Sequence, residues 1–295
     1  MPKVKVWIEA MRLRTLPVSV AGVIVGCGCA AYYDAFAWPQ AFICLIFAVI
    51  AQICSNFANE YYDFRNGLDK KGREGFRRGV TEGDIRPQDM KRATYLLLLS
   101  DALLGCSLMI WGGPWLLLIG LVIGLFALAY STGPFPLSHN GLGDVAVVIF
   151  FGFVPVNFTA YLQTGIWDWQ SISIPLSLAV GFLAACVLIV NNYRDYADDK
   201  TVGKRTLIVM IGRRSGPWLY LASGLGAFVF AWIALYGRIS AGWIVAAILY
   251  LVLLLILFIM LRRRSGAALN PILGLTAMLL FASSAAIATA LACCL

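Results

Sequence analysis

Two short stretches concentrate the residues able to do chemistry. The first, "QICSNFANEYYDF" at 52–64, spaces Gln52, Asn56, Asn59 and Asp63 so that all four share one face of a helix. The second, "VNNYRDYADDK" at 190–200, spaces Asn191, Asp195 and Asp199 in the same manner. The interval from Asn59 to Asn191 equals that from Asp63 to Asp195, so Asn-x-x-x-Asp occurs twice, as in a half-repeat. Carboxylates and amide oxygens crowded together repel unless a cation lies between them. Hard divalent ions prefer oxygen ligands, and Mg2+ takes one or two carboxylates together with substrate phosphates. Neither polar face includes Cys or His, which argues against softer metals. Basic residues flank both. "RNGLDKKGREGFRRG" at 65–79 supplies Arg65, Lys70, Lys71, Arg73, Arg77 and Arg78 beside Asp69, and "TVGKRTL" at 201–207 supplies Lys204 and Arg205. Acidic metal ligands next to guanidinium and ammonium groups suit a diphosphate.

The elements that must position these residues are membrane helices. Of 295 residues, 61% are hydrophobic and 13% charged, against about 25% charged in soluble domains. Runs long enough to span a bilayer, roughly 20 apolar residues, are expected near 17–35, 40–61, 93–111, 114–131, 144–163, 172–192, 216–236, 242–261 and 270–291. The "WGGP" reversal at 111–114 divides the third from the fourth. With a cytoplasmic N-terminus, every Lys and Arg except Arg238 falls on the cytoplasmic side of these nine spans. That is the asymmetry cytoplasmic loops carry. The net charge of +8 is therefore a topology signal, and no nucleic-acid partner is implied. The lead-in to the first run contains Glu9 and the "RTLP" turn, which favours a retained helix over a cleaved leader. The eight cysteines form no CxxC and there is one histidine, so a zinc site is not expected. No Pro/Gly/Ser-rich linker divides the chain, and a single membrane domain over 1–295 is expected.

A diphosphate at the mouth of an apolar bundle implies a substrate with a lipid tail lying among the spans. Loss of pyrophosphate would leave an allylic cation for an electron-rich acceptor, in a cavity dry enough to protect it. A cation-coupled transporter could also use paired carboxylates, but near the bilayer midplane and on broken helices. These groups crowd the helix ends. A lipid-phosphate enzyme without an aromatic acceptor would share the metal site.

Four stretches resemble the UbiA superfamily of intramembrane aromatic prenyltransferases: "LRTLP" at 13–17, "SNFANEYYDFRNGLD" at 55–69, "GPFPLSHNGLGDVAVVIFFG" at 133–152 and "VNNYRDYADDKTVGKRTL" at 190–207. Within it they are most similar to the branch acting on 1,4-dihydroxy-2-naphthoate. The resemblance implies nine helices around a central cavity open toward the bilayer, with polar caps over a cytoplasmic mouth in the inner membrane. It implies Mg2+ as cofactor, and polyprenyl diphosphate and 1,4-dihydroxy-2-naphthoate as partners. Demethylmenaquinone, pyrophosphate and CO2 would be the products. By the same resemblance Asn59, Asp63, Asp195 and Asp199 would hold the ion and diphosphate, with Asp69 completing the first motif. Lys204, Arg205 and Arg78 would bind the diphosphate. Glu60 stands where the superfamily's first motif carries its first Asp, and Asp69 comes two residues late.

Weaker expectations concern neighbours of these motifs. Asn56 and Asn191 share the polar faces. Asp144 opens the fifth span and would face the same mouth, or cap its helix. Tyr130 ends the fourth span near the site, a place that also suits an interfacial tyrosine. His139 reads as loop decoration. Asp101, inside the third span, has no assigned partner. The "RRR" at 262–264 reads as a topology anchor with some affinity for anionic lipid.

Overall fold

A computed structural model describes residues 4–72, 75–167, 172–237 and 240–293. Lys3, Arg73, Glu74, Arg238 and Cys294 lie outside them. Among the described residues every regular element is helical. A short amphipathic helix, α1 (Val4–Met11), precedes α2 (Leu16–Tyr32) and α3 (Trp38–Arg65). After α4 (Gly79–Glu82) come α5 (Pro87–Gly112) and α6 (Leu116–Ala129). The next span runs through α7 (Gly143–Val147), a π-helical segment at Val148–Phe153, and α8 (Val154–Thr164). It is followed by α9 (Ser173–Arg194), the short α10 (Tyr196–Thr201) and α11 (Leu207–Ile211), then α12 (Gly216–Leu235), α13 (Ala241–Arg263) and α14 (Asn270–Ala292).

Among the described residues eight helices are long and apolar enough to cross a membrane. The ninth expected span differs. Its helix occupies 116–129 rather than 114–131, about 21 Å at 1.5 Å per residue, against a hydrocarbon core of roughly 30 Å. The shortening begins at the expected reversal: Gly113 takes φ +83° to end α5, and Pro114 and Trp115 are used in the turn. Prolines at the first turns of α3, α5, α12 and α14 start helices where a missing N–H costs nothing.

The most buried span is α9, which packs against α12 on one side and the π-helical segment on the other. The second crossing is close because it uses glycine on both helices. A Cβ on Gly152 would collide with the Ser177 carbonyl and the Gly181 backbone, and one on Gly181 with Val148. Small residues let membrane helices approach in this way. The approach brings Val147 and Phe151 beside α9, as the walls of a cavity.

Candidate active site

The two acidic helix ends meet. Lys204, which follows the second cluster, places Nζ 2.8 Å from Asp63 Oδ2 on the first. A cavity of about 180 Å³ lies between them. Asn56, Asn59 and Asp63 from α3, Arg78 from the following loop, and Asn191, Asp195, Asp199 and Lys204 from the second motif all line it. Below it a second cavity of about 180 Å³ has apolar walls from α2, α3, α5, α6 and the α7–α8 span. Gln52, Ser55, Tyr130, Val147 and Phe151 line both, so the charged chamber continues into the apolar one. Tyr130, which also suited an interfacial position, sits at this junction.

Asp63 is fully buried among basic side chains. Besides Lys204, Arg78 Nη2 approaches its Oδ2 at 3.4 Å and His139 Nε2 approaches Oδ1 at 3.4 Å. His139 is therefore no loop decoration; the helical turn at 137–139 carries it to the buried carboxylate. Asn59 accepts from Arg78 at 2.8 Å and donates to Ser131 Oγ at 3.2 Å. Asn56 donates to the Met11 carbonyl at 3.0 Å and so ties the α1–α2 turn to α3.

The second cluster is not one continuous helix, contrary to the sequence spacing. It breaks at Asp195, which caps α9 with φ −86° and ψ 5°, and Asp199 rides on α10. The break turns Asp195 toward the preceding Arg194. Arg194 donates from Nε to Oδ1 at 2.7 Å and from Nη2 to Oδ2 at 2.9 Å. The same guanidinium donates to Asn191 at 2.7 Å and to Asn270, at the start of α14, at 2.8 Å. Phe76 lies between two guanidiniums, with Arg12 at 5.4 Å and Arg194 at 5.6 Å from its centroid. It closes one wall of the chamber and gains cation–π attraction from both sides.

Residues 19–281 match the UbiA prenyltransferase family. The chain belongs to that family. Two curated relatives are 1,4-dihydroxy-2-naphthoate octaprenyltransferases. That of Escherichia coli (strain K12) is 32% identical over 281 residues, covering 92% of this chain and 90% of its own. That of Mycobacterium tuberculosis (strain ATCC 25618 / H37Rv) is 33% identical over 287 residues, covering 97% and 96%. A UbiA homolog from Archaeoglobus fulgidus bound to GPP and Mg2+ shares the fold. It has TM-score 0.70 and 18% identity, and the match covers 98% of this chain and 99% of that one.

Several expected site residues lie off the chamber of this UbiA-family chain. Arg205 is exposed and does not line it; its backbone N–H donates to the His139 carbonyl at 3.0 Å, which fixes the 137–139 turn instead. Asp69 also lies outside the lining, with Oδ2 3.4 Å from Arg78 Nε, so it acts on the site through Arg78. Asp144 is buried but lines neither cavity, and both its oxygens lack a hydrogen-bond partner. Asp101 is buried on α5, away from both.

Glu60 is turned from the chamber as well. Its Oε1 accepts the Val80 N–H at 3.0 Å and so holds α4, the element directly after Arg78. The residue departing from the motif thus anchors the loop that delivers a chamber cation. Glu60→Ala would orphan that buried N–H, at roughly 1–3 kcal/mol. It is expected to lower the thermal midpoint and expose the 75–86 segment to limited proteolysis. Glu60→Gln keeps an accepting oxygen and is expected to restore protection; equal cleavage of both variants would remove this role.

The donor set suits a hard ion. Asp63, Asp195, Asp199, Asn59 and Asn191 present oxygens to one chamber, and Asp63 Oδ1 is buried without a hydrogen bond. Among the described residues no three Asp, Glu, His or Cys side chains converge closely enough to hold an ion by themselves. An ion here would complete its shell with ligand oxygens, as Mg2+ does with phosphates.

Proposed function

We propose that this protein transfers a polyprenyl group from polyprenyl diphosphate to 1,4-dihydroxy-2-naphthoate. The reaction releases pyrophosphate and CO2 and yields the prenylated naphthoquinol, demethylmenaquinol, which a separate two-electron oxidation converts to demethylmenaquinone; Mg2+ is required. One observation carries the reading. A chamber lined by carboxylates, amides and basic groups continues, across Tyr130 and Phe151, into an apolar chamber of similar volume. That is the shape of a molecule with a charged head and a hydrocarbon tail. The naphthoate octaprenyltransferases named above, matched over most of both chains, support the choice of acceptor.

In this reading Lys204 and Arg78 bind the diphosphate, turning part of their hydrogen-bonding capacity from Asp63 toward phosphate oxygens. Asn59, Asp63, Asp195 and Asp199 would hold Mg2+ in the chamber, while Asp69 steadies Arg78. Bound there, Mg2+ supplies a Lewis acid that draws charge from the leaving pyrophosphate. Arg194 keeps Asp195 ionised and oriented, and Asn191 shares that guanidinium. Val147, Phe151 and the ring of Tyr130 keep water from the allylic carbon as positive charge develops. The naphthoate ring attacks that carbon at its carboxylate-bearing position. The carboxylate then departs as CO2, and its bonding electrons restore the aromatic ring. In this reading the mouth faces the cytoplasm, and the membrane is the inner one, since α3 and α9, whose ends line the mouth, lead into loops rich in Lys and Arg.

The test uses purified protein in detergent with Mg2+, a polyprenyl diphosphate and 1,4-dihydroxy-2-naphthoate. Prenylated naphthoquinol and pyrophosphate in equal amounts are expected. Pyrophosphate without an aromatic product would indicate a lipid-phosphate enzyme. Preferential prenylation of a different phenolic acid would reassign the acceptor, and cation flux in liposomes without turnover would remove the enzyme reading.

A further inference from the structure

A second charged site lies on the outer side of α9, away from the chamber. Arg213 and Arg214, from the turn before α12, converge with Arg262, Arg263 and Arg264, from the end of α13, around an open cavity of about 330 Å³. Tyr193 and Ser265 complete its lining. Membrane orientation requires basic residues in these loops, but it does not require two loops to bring theirs together. Five neighbouring guanidiniums repel one another. No Asp or Glu occurs after Asp199, and among the described residues none of the five has a carboxylate within ion-pair distance.

Two of the five are held in place by aromatic rings. Arg213 lies 5.1 Å above the Tyr193 ring. Arg262 lies 5.5 Å from Trp218 and 5.7 Å from Phe258. Stacking orients a guanidinium and leaves its N–H groups free for the oxygens of an anion. Trp218 is itself exposed, the position of a tryptophan at headgroup depth. From there Leu255, Ile256 and Ile259 on α13 present aliphatic surface outward.

The geometry points to a binding site for an anionic phospholipid: the arginines take its phosphodiester oxygens, and its acyl chains run down the outward face of α13. Five cations suit a headgroup with two phosphodiesters better than one with a single charge. Basic pockets between membrane helices on the cytoplasmic side bind such headgroups. The site is independent of the prenyl-transfer reading, because it shares no residue with either chamber.

The experiment is native mass spectrometry and thermal unfolding of the full-length protein in neutral detergent. It is titrated separately with cardiolipin, phosphatidylglycerol, phosphatidylcholine and inorganic pyrophosphate. Expected is retention of cardiolipin above phosphatidylglycerol, little phosphatidylcholine, and a rise in thermal midpoint with the first two. The variant R213Q/R263Q/R264Q is expected to weaken cardiolipin binding at least tenfold while keeping the midpoint of the lipid-free protein. Should that variant unfold, the single substitutions R263Q and R264Q are each expected to weaken binding severalfold. Equal retention of phosphatidylcholine, cardiolipin binding unchanged in the variants, or stabilisation by pyrophosphate that Arg263→Gln removes would each overturn the assignment, the last by making this a soluble-anion site.

Discussion

Replacing Asp63 by asparagine is expected to lower turnover by about 10²–10³-fold, the loss typical when one preorganised electrostatic contact is removed from a dry site. Asp63 joins the first polar cluster to the second motif through the 2.8 Å contact with Lys204. Asparagine keeps the volume and one accepting oxygen, but it leaves Lys204, Arg78 and His139 facing a neutral group in a buried setting. Breaking a buried ion pair by removing one partner costs roughly 3–5 kcal/mol, so the thermal midpoint is expected to fall as well. Lys204→Met separates the two effects. If Asp63 and Lys204 act as a unit, the double variant D63N/K204M unfolds later than D63N alone, and its turnover is no lower than that of the worse single variant. Additive losses in both readouts would argue that the halves work separately. Steady-state kinetics and thermal unfolding on the four proteins decide the matter.

The second large effect is expected at Arg194. Its guanidinium makes four hydrogen bonds, two to Asp195 and one each to Asn191 and Asn270. Lysine keeps the charge but cannot reproduce the planar fork. Arg194→Lys is expected to reduce turnover about 10–100-fold, the usual cost of losing a group that orients a metal ligand. It should also raise the Mg2+ concentration needed for half-maximal rate. The metal titration is the informative readout, since general loosening of the bundle would lower the rate at every Mg2+ concentration alike. Asn270→Ala removes only the outermost of the four contacts and is expected to show the same shift in milder form. An unchanged Mg2+ requirement in Arg194→Lys would detach this residue from the metal.

Much of this was legible in the residue order. The apolar runs anticipated the eight long helices found among the described residues, because the bilayer imposes a length on each span separately. The paired Asn-x-x-x-Asp faces were legible for the same local reason: helical periodicity alone decides which residues share a face. Arg12, Arg194, Phe76 and His139 were not. Each was visible only as a topology charge, a loop aromatic or loop decoration; Arg12, Phe76 and His139 meet partners from distant segments, and Arg194 ties its neighbour Asp195 to Asn270 on α14. The break at Asp195 was hidden too, since "YADDK" contains neither Gly nor Pro and nothing local stops the helix there. Glu60 could have been placed. It lies about a quarter turn round from Asn59 on α3, at the edge of the polar face. Arg205 was misassigned because adjacent basic residues look alike in sequence, and only the turn at Gly203 (φ +77°) sends Lys204 inward and leaves Arg205 in solvent.

The shortness of α6 has a mechanical consequence. Its inner face, with Ile119, Gly120 and Ile123, walls the apolar chamber, and its outer face exposes Leu117, Leu118, Leu121 and Leu125. On that flank the fourteen-residue α6 stands between the apolar chamber and its surroundings. Gly120 also leaves open space where any other residue would place a side chain. A flexible hydrocarbon threading past this seam would exchange one greasy contact for another at little net cost. The number of isoprene units accepted would then be decided by what the membrane supplies, not by the dimensions of the protein.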